Sequence, residues 1–419
     1  MRLAALPALL LSAAPCAAQS PALSSLPEFR AEVPAAPAPP APAEWTVMYF
    51  MNGKNNLESS VLMDMNQLEL AGSTSKVRIV VELGRMNGQP EGDDHADGDW
   101  TGVRRYLVQK DADTSRIMSP VREDLGRADM GSWKELVSFV EWARRNYPAR
   151  RYALVLWDHG NGWEPVDYAN SGDFYNLKGF SLDEESGHEF SLPQMAEALK
   201  RAGGVDFLML DGCNMGMAEV AYELKDAARA MTASEETEPG VVVRYAQFLG
   251  LLNAKPQMGP EEFAANTVRT YRDYFLDLQG DNEGAPVTQS AVRLYEMRNF
   301  RAKLDAWAAA AMKADPAALR AAAAKAKFFG EYAPYKDLCD FVTLVGEASS
   351  DQQLKALGRD LVSFVKTRLI IENWAQDRVS HGLAIDVPSA SPYNPLYDGL
   401  QLSRDSLWDD FAKHMATLK

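Results

Sequence analysis

Two segments, RYALVLW (151–157) and VDFLML (205–210), are nearly unbroken apolar runs too short to be helices. A strand with one wet face alternates polar and apolar side chains, because successive residues point to opposite sides of the sheet. Neither run alternates, so both faces of each are covered. Strands of this kind belong to a parallel sheet held between two layers of helices.

The rest of the chain supplies matching pieces. TVMYFM (46–51), KVRIVVEL (76–83), GVRRYLVQK (102–110) and ARAMTAS (228–234) read as further strands. Between them lie amphipathic segments with helix punctuation: NLESSVLMDMNQLELAG (56–72) closes on Gly72, and SWKELVSFVEWARRN (132–146) opens on Ser132. SLPQMAEALKRAGG (191–204) sets Ser191 three residues before Gln194, as in a capping box, and closes on Gly203. Helices are expected from Met215 to Asp226 and over 260–277, 296–329 with a break at Pro316, and 351–373; APVTQSAVRL (285–294) and HGLAIDV (381–387) read as strands. The pattern predicts an α/β fold, a mostly parallel central sheet with helices on both faces, plus a helical C-terminal extension. Ligands of such sheets sit at the carboxyl ends of the strands.

The 419-residue chain carries 58 acidic against 43 basic residues, a formal charge of -15. That field repels nucleic acid and anionic membrane surfaces and welcomes basic ligands or divalent cations. The opening MRLAALPALLLSAAPCAAQS has a positive start at Arg2, an apolar run too short to span a bilayer, and small residues before a cut after Ala18. It reads as a secretory signal over residues 1–18, which implies a secreted, periplasmic or cell-surface protein with no integral membrane segment once the signal is removed. Cys16 leaves a lipid-anchored form as the lesser alternative, since Pro15 directly before it suits lipid attachment poorly. The Ala/Pro-rich stretch 19–44 is expected to be an extended spacer. The folded part is divided into a core at 45–250 and a C-terminal helical and strand part at 251–419 that packs on the same domain.

ALVLW runs into Asp158-His159-Gly160, and DFLML runs into Asp211-Gly212-Cys213. In a parallel sheet both turns emerge at one edge, so a histidine and a cysteine 54 positions apart become neighbours. A cysteine before a helix N-terminus gains from the positive end of the helix dipole, which favours the attacking thiolate. A histidine can protonate a leaving amine. The backbone amides of Gly160 and Cys213 could stabilise an oxyanion. Read singly, each residue has a bland alternative, a packed thiol or a structural histidine; their joint placement gives the pair weight. Cys339 reads as core, and His95, His188, His381 and His414 as ordinary.

YALVLWDHGNGW together with DFLMLDGCNMGMAEVAYEL resembles the clostripain-like cysteine peptidases, relatives of caspases, gingipains and legumains. The likeness extends to WTVMYFMNGKNNLE, VVELGR, ASEETEPG and HGLAIDVPSASPYNPLY, over most of residues 45–419. The resemblance implies a caspase-like α/β/α sandwich and a His159/Cys213 dyad. It also implies an S1 pocket in which Asp211 selects Arg or Lys at P1 of peptide or protein substrates, with Glu235 or Glu236 lining the same pocket. Two departures stand out: Gly212 replaces a more usual alanine, and VVVRYAQF follows SEETEPG where Gly-Trp and an aromatic are more usual. Family members are often activated by cleavage between the dyad residues, and Lys178 is the basic residue of the intervening loop DYANSGDFYNLKGFSLDEESGHEF. The chemistry requires no cofactor. Calcium dependence occurs in relatives, so Ca²⁺ stays open with no metal site assigned; EGDDHADGDW (91–100) begins like a calcium loop, but Arg104 stands where its last ligand, Glu, is required. A non-catalytic binding or adhesion protein on the same fold is the alternative from another class.

Overall fold

The computed structural model describes residues 42–88, 93–164, 180–239, 245–277, 286–330, 334–388 and 392–418. The signal at 1–18 with Cys16, the spacer up to residue 41, and Lys178 lie outside the described residues.

The centre is a sheet of nine strands. Its middle is parallel: β1 (Ala43–Gly53), β2 (Val77–Arg85), β5 (Ala149–Trp157), β8 (Val205–Asp211) and β9 (Ala228–Ala233), in the spatial order β9-β8-β5-β1-β2. Antiparallel strands extend both edges, β3 (Gly102–Leu107) and β4 (Val121–Gly126) beyond β2, and β10 (Thr288–Arg293) and β12 (Ile370–Ala375) beyond β9. Two small antiparallel pairs lie outside the main sheet: β6 (Phe180–Asp183) with β7 (His188–Phe190), and β11 (Tyr335–Asp337) with β13 (Ala384–Asp386).

The lack of alternation in the central strands has its cause in two separate cores. Val47, Tyr49 and Met51 of β1, with Val155 and Met209, face one layer built from α1 (Glu58–Ala71), α5 (Tyr245–Ala254) and α6 (Pro260–Asp277). Met48 and Phe50, with Leu154, Leu156, Leu208 and Leu210, face the other. That second layer holds α2 (Trp133–Asn146), α3 (Leu192–Arg201), α4 (Ala218–Glu223), α7 (Met297–Ala311), α8 (Pro316–Lys325), α9 (Leu338–Ala348), α10 (Gln352–Phe364) and α12 (Trp408–Thr417), with the short α11 (Gln401–Asp405) beside α4. Toward their carboxyl ends the central strands are therefore buried whichever way a side chain points.

Local signals hold where they were strongest. Ser191 N donates to Gln194 Oε1 at 2.9 Å, and Gly203 takes φ 83°, a left-handed value that closes α3. Pro316 opens α8 instead of kinking a long helix. Two expectations need correction. The helix drawn over 351–373 runs to Phe364 and on through a π-helical turn to Leu369, but Ile370–Ala375 pairs with β10, because the edge of the sheet offers partners to a β-branched and aromatic segment. The helix drawn from Met215 begins only at Ala218 and ends at Glu223, because Gly216 is held against the chain after β9: its N–H donates to Ser234 O at 2.6 Å.

Candidate active site

Trp157 and Asp211 are register partners at the carboxyl ends of β5 and β8, and Asp158 N donates to Asp211 O at 3.2 Å. The two polar turns therefore leave the sheet side by side and stay in contact. A Cβ on Gly160 would lie 2.6 Å from Cys213 O and 3.0 Å from Cys213 N; one on Gly212 would lie 2.8 Å from Asp158 O and 3.3 Å from Gly160 N. Only glycine lets two backbones run this close. The Gly212 departure thus fits the contact it makes.

His159 is held by a network that begins on the adjacent strand. Buried Asp158 accepts from His159 N at 2.7 Å, from Asn55 Nδ2 at 2.7 Å and from Asn52 Nδ2 at 3.2 Å. The imidazole Nε2 meets Asn56 Oδ1 at 2.8 Å, and an amide oxygen can only accept, so that nitrogen carries the proton in this contact. Asn52 also donates to Ser181 Oγ at 3.3 Å and Asn55 to Leu182 O at 2.9 Å, tying the β6–β7 hairpin to the same loop. Lys54, buried between these asparagines, pairs with Asp183 at 2.8 Å and Glu185 at 2.8 Å. Sequence reading did not assign these asparagines; their signal was NGKNN at the carboxyl end of a parallel strand, where ligands collect.

Cys213 is half-buried, and its Sγ accepts from Glu238 N at 3.3 Å. The dipole expectation is not met at rest. Asn214 takes φ 59° and α4 starts five positions after the cysteine, so irregular chain separates the sulfur from the start of that helix. Burial pushes the thiol above its ordinary range; the Glu238 N–H opposes this, while nearby Asp211 and Glu236 reinforce it.

Asp211 ends β8 with its carboxyl buried, accepting from the Tyr245 hydroxyl. Burial holds this carboxyl above the usual range against the hydrogen bonds of Glu238 and Tyr245. The acidic residues after β9 are each held by different contacts. Glu235 Oε2 accepts from Gly382 N at 2.8 Å, and burial and the charge of Asp337 push its carboxyl up, while Glu236 Oε1 accepts from Gly330 N at 2.8 Å. Both are drawn into the C-terminal segments. The carboxyl that meets Asp211 is Glu238, because the chain after β9 turns back over Cys213.

In the described part of the acidic loop the carboxylates of Asp94, Asp97 and Asp99 are engaged within the protein. Asp94 Oδ1 accepts from Ala96 N at 2.7 Å, Asp97 from Ile117 N and Trp100 Nε1, each at 3.1 Å, and Asp99 meets His95 at 2.6 Å. Among the described residues no group of three or more His, Cys, Asp or Glu side chains is arranged to hold a metal ion. His188 and His381 pair with Asp129 and Asp337, and Cys339 lies in the core. Trp157 and Trp163 do more than pack: their indole N–H groups donate to buried Asp64 at 2.8 Å and Asp386 at 3.0 Å.

A model of the clostripain family, peptidase C11, matches residues 49–411. Clostripain from Hathewaya histolytica is 24% identical over 190 residues, a stretch that spans 43% of this chain and 36% of that relative's length. The fold is similar to that of an inactive zymogen C11 protease from Parabacteroides distasonis, with TM-score 0.64 and 18% identity over 88% of this chain and 99% of the other. It is equally similar to a secreted C11 cysteine protease from Bacteroides thetaiotaomicron, with TM-score 0.65 and 17% identity over 90% of this chain and 100% of the other. A match that runs from β1 to α12 and takes in both polar turns has one consequence: this chain belongs to the clostripain family.

Proposed function

We propose that this protein is a secreted cysteine endopeptidase that hydrolyses peptide bonds after Arg or Lys through an acyl-enzyme. The observation that carries the reading is the backbone contact between Gly160 and Cys213, which brings an imidazole-bearing turn and a thiol-bearing turn to one sheet edge beside the carboxyl of Asp211. The Cys213 sulfur attacks the scissile carbonyl, and the amides of Gly160 and Cys213 receive the oxyanion. His159 takes the thiol proton and returns it to the departing amine; water then releases the acid product. A thiol kept protonated by burial until substrate arrives is protected from idle oxidation.

Asp211 is the partner for a cationic P1 side chain, since a buried guanidinium or ammonium requires an opposite charge. Self-cleavage after Lys178 and removal of residues 1–18 complete the reading. The similar Parabacteroides protein is described as an inactive zymogen, which fits a chain that waits for cleavage. A fluorogenic panel with Arg, Lys, Asp, Asn or Leu at P1 tests the assignment on wild type and Cys213→Ala. Cleavage of Arg or Lys peptides that vanishes in Cys213→Ala is expected, with kcat lower by about a thousandfold in His159→Ala. Absence of thiol-dependent cleavage of any peptide would leave a binding protein on this fold. N-terminal sequencing is expected to find Gln19 at the start of the exported protein and, after incubation, a new end at Gly179; full activity of a chain left uncut at Lys178 contradicts the need for processing.

A further inference from the structure

Glu238 touches both halves of the site. Its main-chain N–H donates to Cys213 Sγ at 3.3 Å, and its carbonyl lies 3.8 Å from the same sulfur. Its side-chain carboxyl lies in the same cluster as that of Asp211, close enough for each to act on the other, and accepts from Gln289 Nε2 at 3.2 Å, while Asp211 accepts from the Tyr245 hydroxyl. Two ionised carboxylates have only acceptors and repel each other, so buried neighbours of this kind keep one proton between them. We propose that Asp211 and Glu238 form a proton-sharing carboxyl pair in the S1 pocket, with Glu238 a specificity-determining residue that ionises when a cationic P1 side chain enters. The inference rests on the reading of that pocket as a site for Arg or Lys.

The surroundings favour this exchange. The pair is faced by Tyr245 from α5, Tyr49 from β1, Tyr271 from α6, Asp64 from α1 and Cys213 itself. None of these groups is a cation. Burial keeps the three phenols protonated and pushes the Asp64 carboxyl up as well, so the negative charge of the pocket resides in the pair. Empty, the pair holds one proton and one negative charge. An entering guanidinium or ammonium supplies N–H donors to both carboxylates, the shared proton leaves to solvent, and two carboxylates then face one cation. The net charge of the filled pocket equals that of the empty one, so a proton is exchanged for the substrate's cation. A neutral P1 isostere gives no reason to release the proton.

Peptides with Arg or its neutral isostere citrulline at P1 test this, with KM and kcat measured from pH 5 to 9 on wild type and Glu238→Gln. In wild type, KM for the Arg peptide is expected to fall about tenfold as pH rises through the titration of the pair, while KM for citrulline stays flat. Glu238→Gln, whose main chain still contacts the sulfur, is expected to lose that slope, and its Arg preference to drop through KM and not kcat. An unchanged slope in Glu238→Gln overturns the proposal; so does an equal fall of kcat on both peptides with the slope intact, which marks mere support of the thiol loop. A wild type without Arg preference at any pH refutes the basic-P1 reading, whereas Arg preference with a flat profile refutes the shared proton alone.

Discussion

The residues closest to the chemistry are constrained by backbone contact more than by side-chain bonding. A methyl group on Gly160 would press on main-chain atoms of Cys213 at 2.6 and 3.0 Å, and main chain at a strand end cannot retreat as a flexible side chain can. Gly160→Ala is therefore expected to lower kcat by at least about tenfold and to cost about 1–3 kcal/mol, read from kinetics and thermal denaturation. Wild-type kcat in this variant would show that the two turns separate without consequence. The Cys213 thiol gives a second expectation at this scale. Because burial raises it above its ordinary value of 9.0, alkylation by iodoacetamide is expected to be slower than that of a cysteine peptide at pH 7 and to keep rising beyond pH 9. A rate that levels off near neutrality contradicts a protonated resting thiol.

Among the elements, the β6–β7 hairpin is notable for what fastens it. Lys54 reaches from the end of β1 to Asp183, Glu185 and Ala128 O, each at 2.8 Å, with its own side chain and that of Asp183 fully enclosed. Removing one member of a buried pair leaves the other charge uncompensated, which costs about 3–5 kcal/mol. Lys54→Met is expected to lose about that much stability and to expose residues 180–190 first in hydrogen exchange. Uniform loosening of the whole sheet would show that the pair has no local role. The same hairpin carries Ser181 and Leu182, which hold Asn52 and Asn55 on Asp158, so loosening should also reach His159.

Across the whole molecule, the C-terminal part is joined to the helix that follows Cys213 through a buried acid pair. Glu219 on α4 accepts from Asp386 N at 2.9 Å and from the Tyr397 hydroxyl at 2.8 Å, while Glu219 Oε2 and Asp386 Oδ1 have no hydrogen-bond partner among the described residues. Burial raises Glu219 from 4.5 to about 7, so the folded state binds its proton more tightly than the unfolded chain does. That stabilisation is full below about pH 4.5 and is lost as pH rises to about 7, amounting to about 3 kcal/mol. Glu219→Gln keeps the two accepted hydrogen bonds and removes the ionisation. Its urea midpoint is expected to exceed wild type at pH 8 and to vary less between pH 5 and 7; an identical pH profile for the two proteins contradicts the assignment.

How much of this was legible depended on the range over which each interaction acts. Unalternating strands such as RYALVLW dictate burial on both faces, and that yields the sheet, its helical layers and the emergence of the His159 and Cys213 turns at one edge. Glycines at 160 and 212 were visible, but the clash that requires them exists only when two turns 54 positions apart are brought together. The edge strand VREDLG and the strand at Ile370–Ala375 show no regular burial alternation, since an edge is defined by the neighbour it pairs with. The choice of Glu238 over Glu235 as the partner of Asp211 depends on how the chain folds back over the thiol. Periodicity and turn chemistry act within a few residues, and so the sequence by itself determined the layers and the edge where chemistry gathers. Which carboxyl faces which, and whether the thiol rests protonated, depend on burial and on contacts between distant segments, and only the tertiary structure decided them.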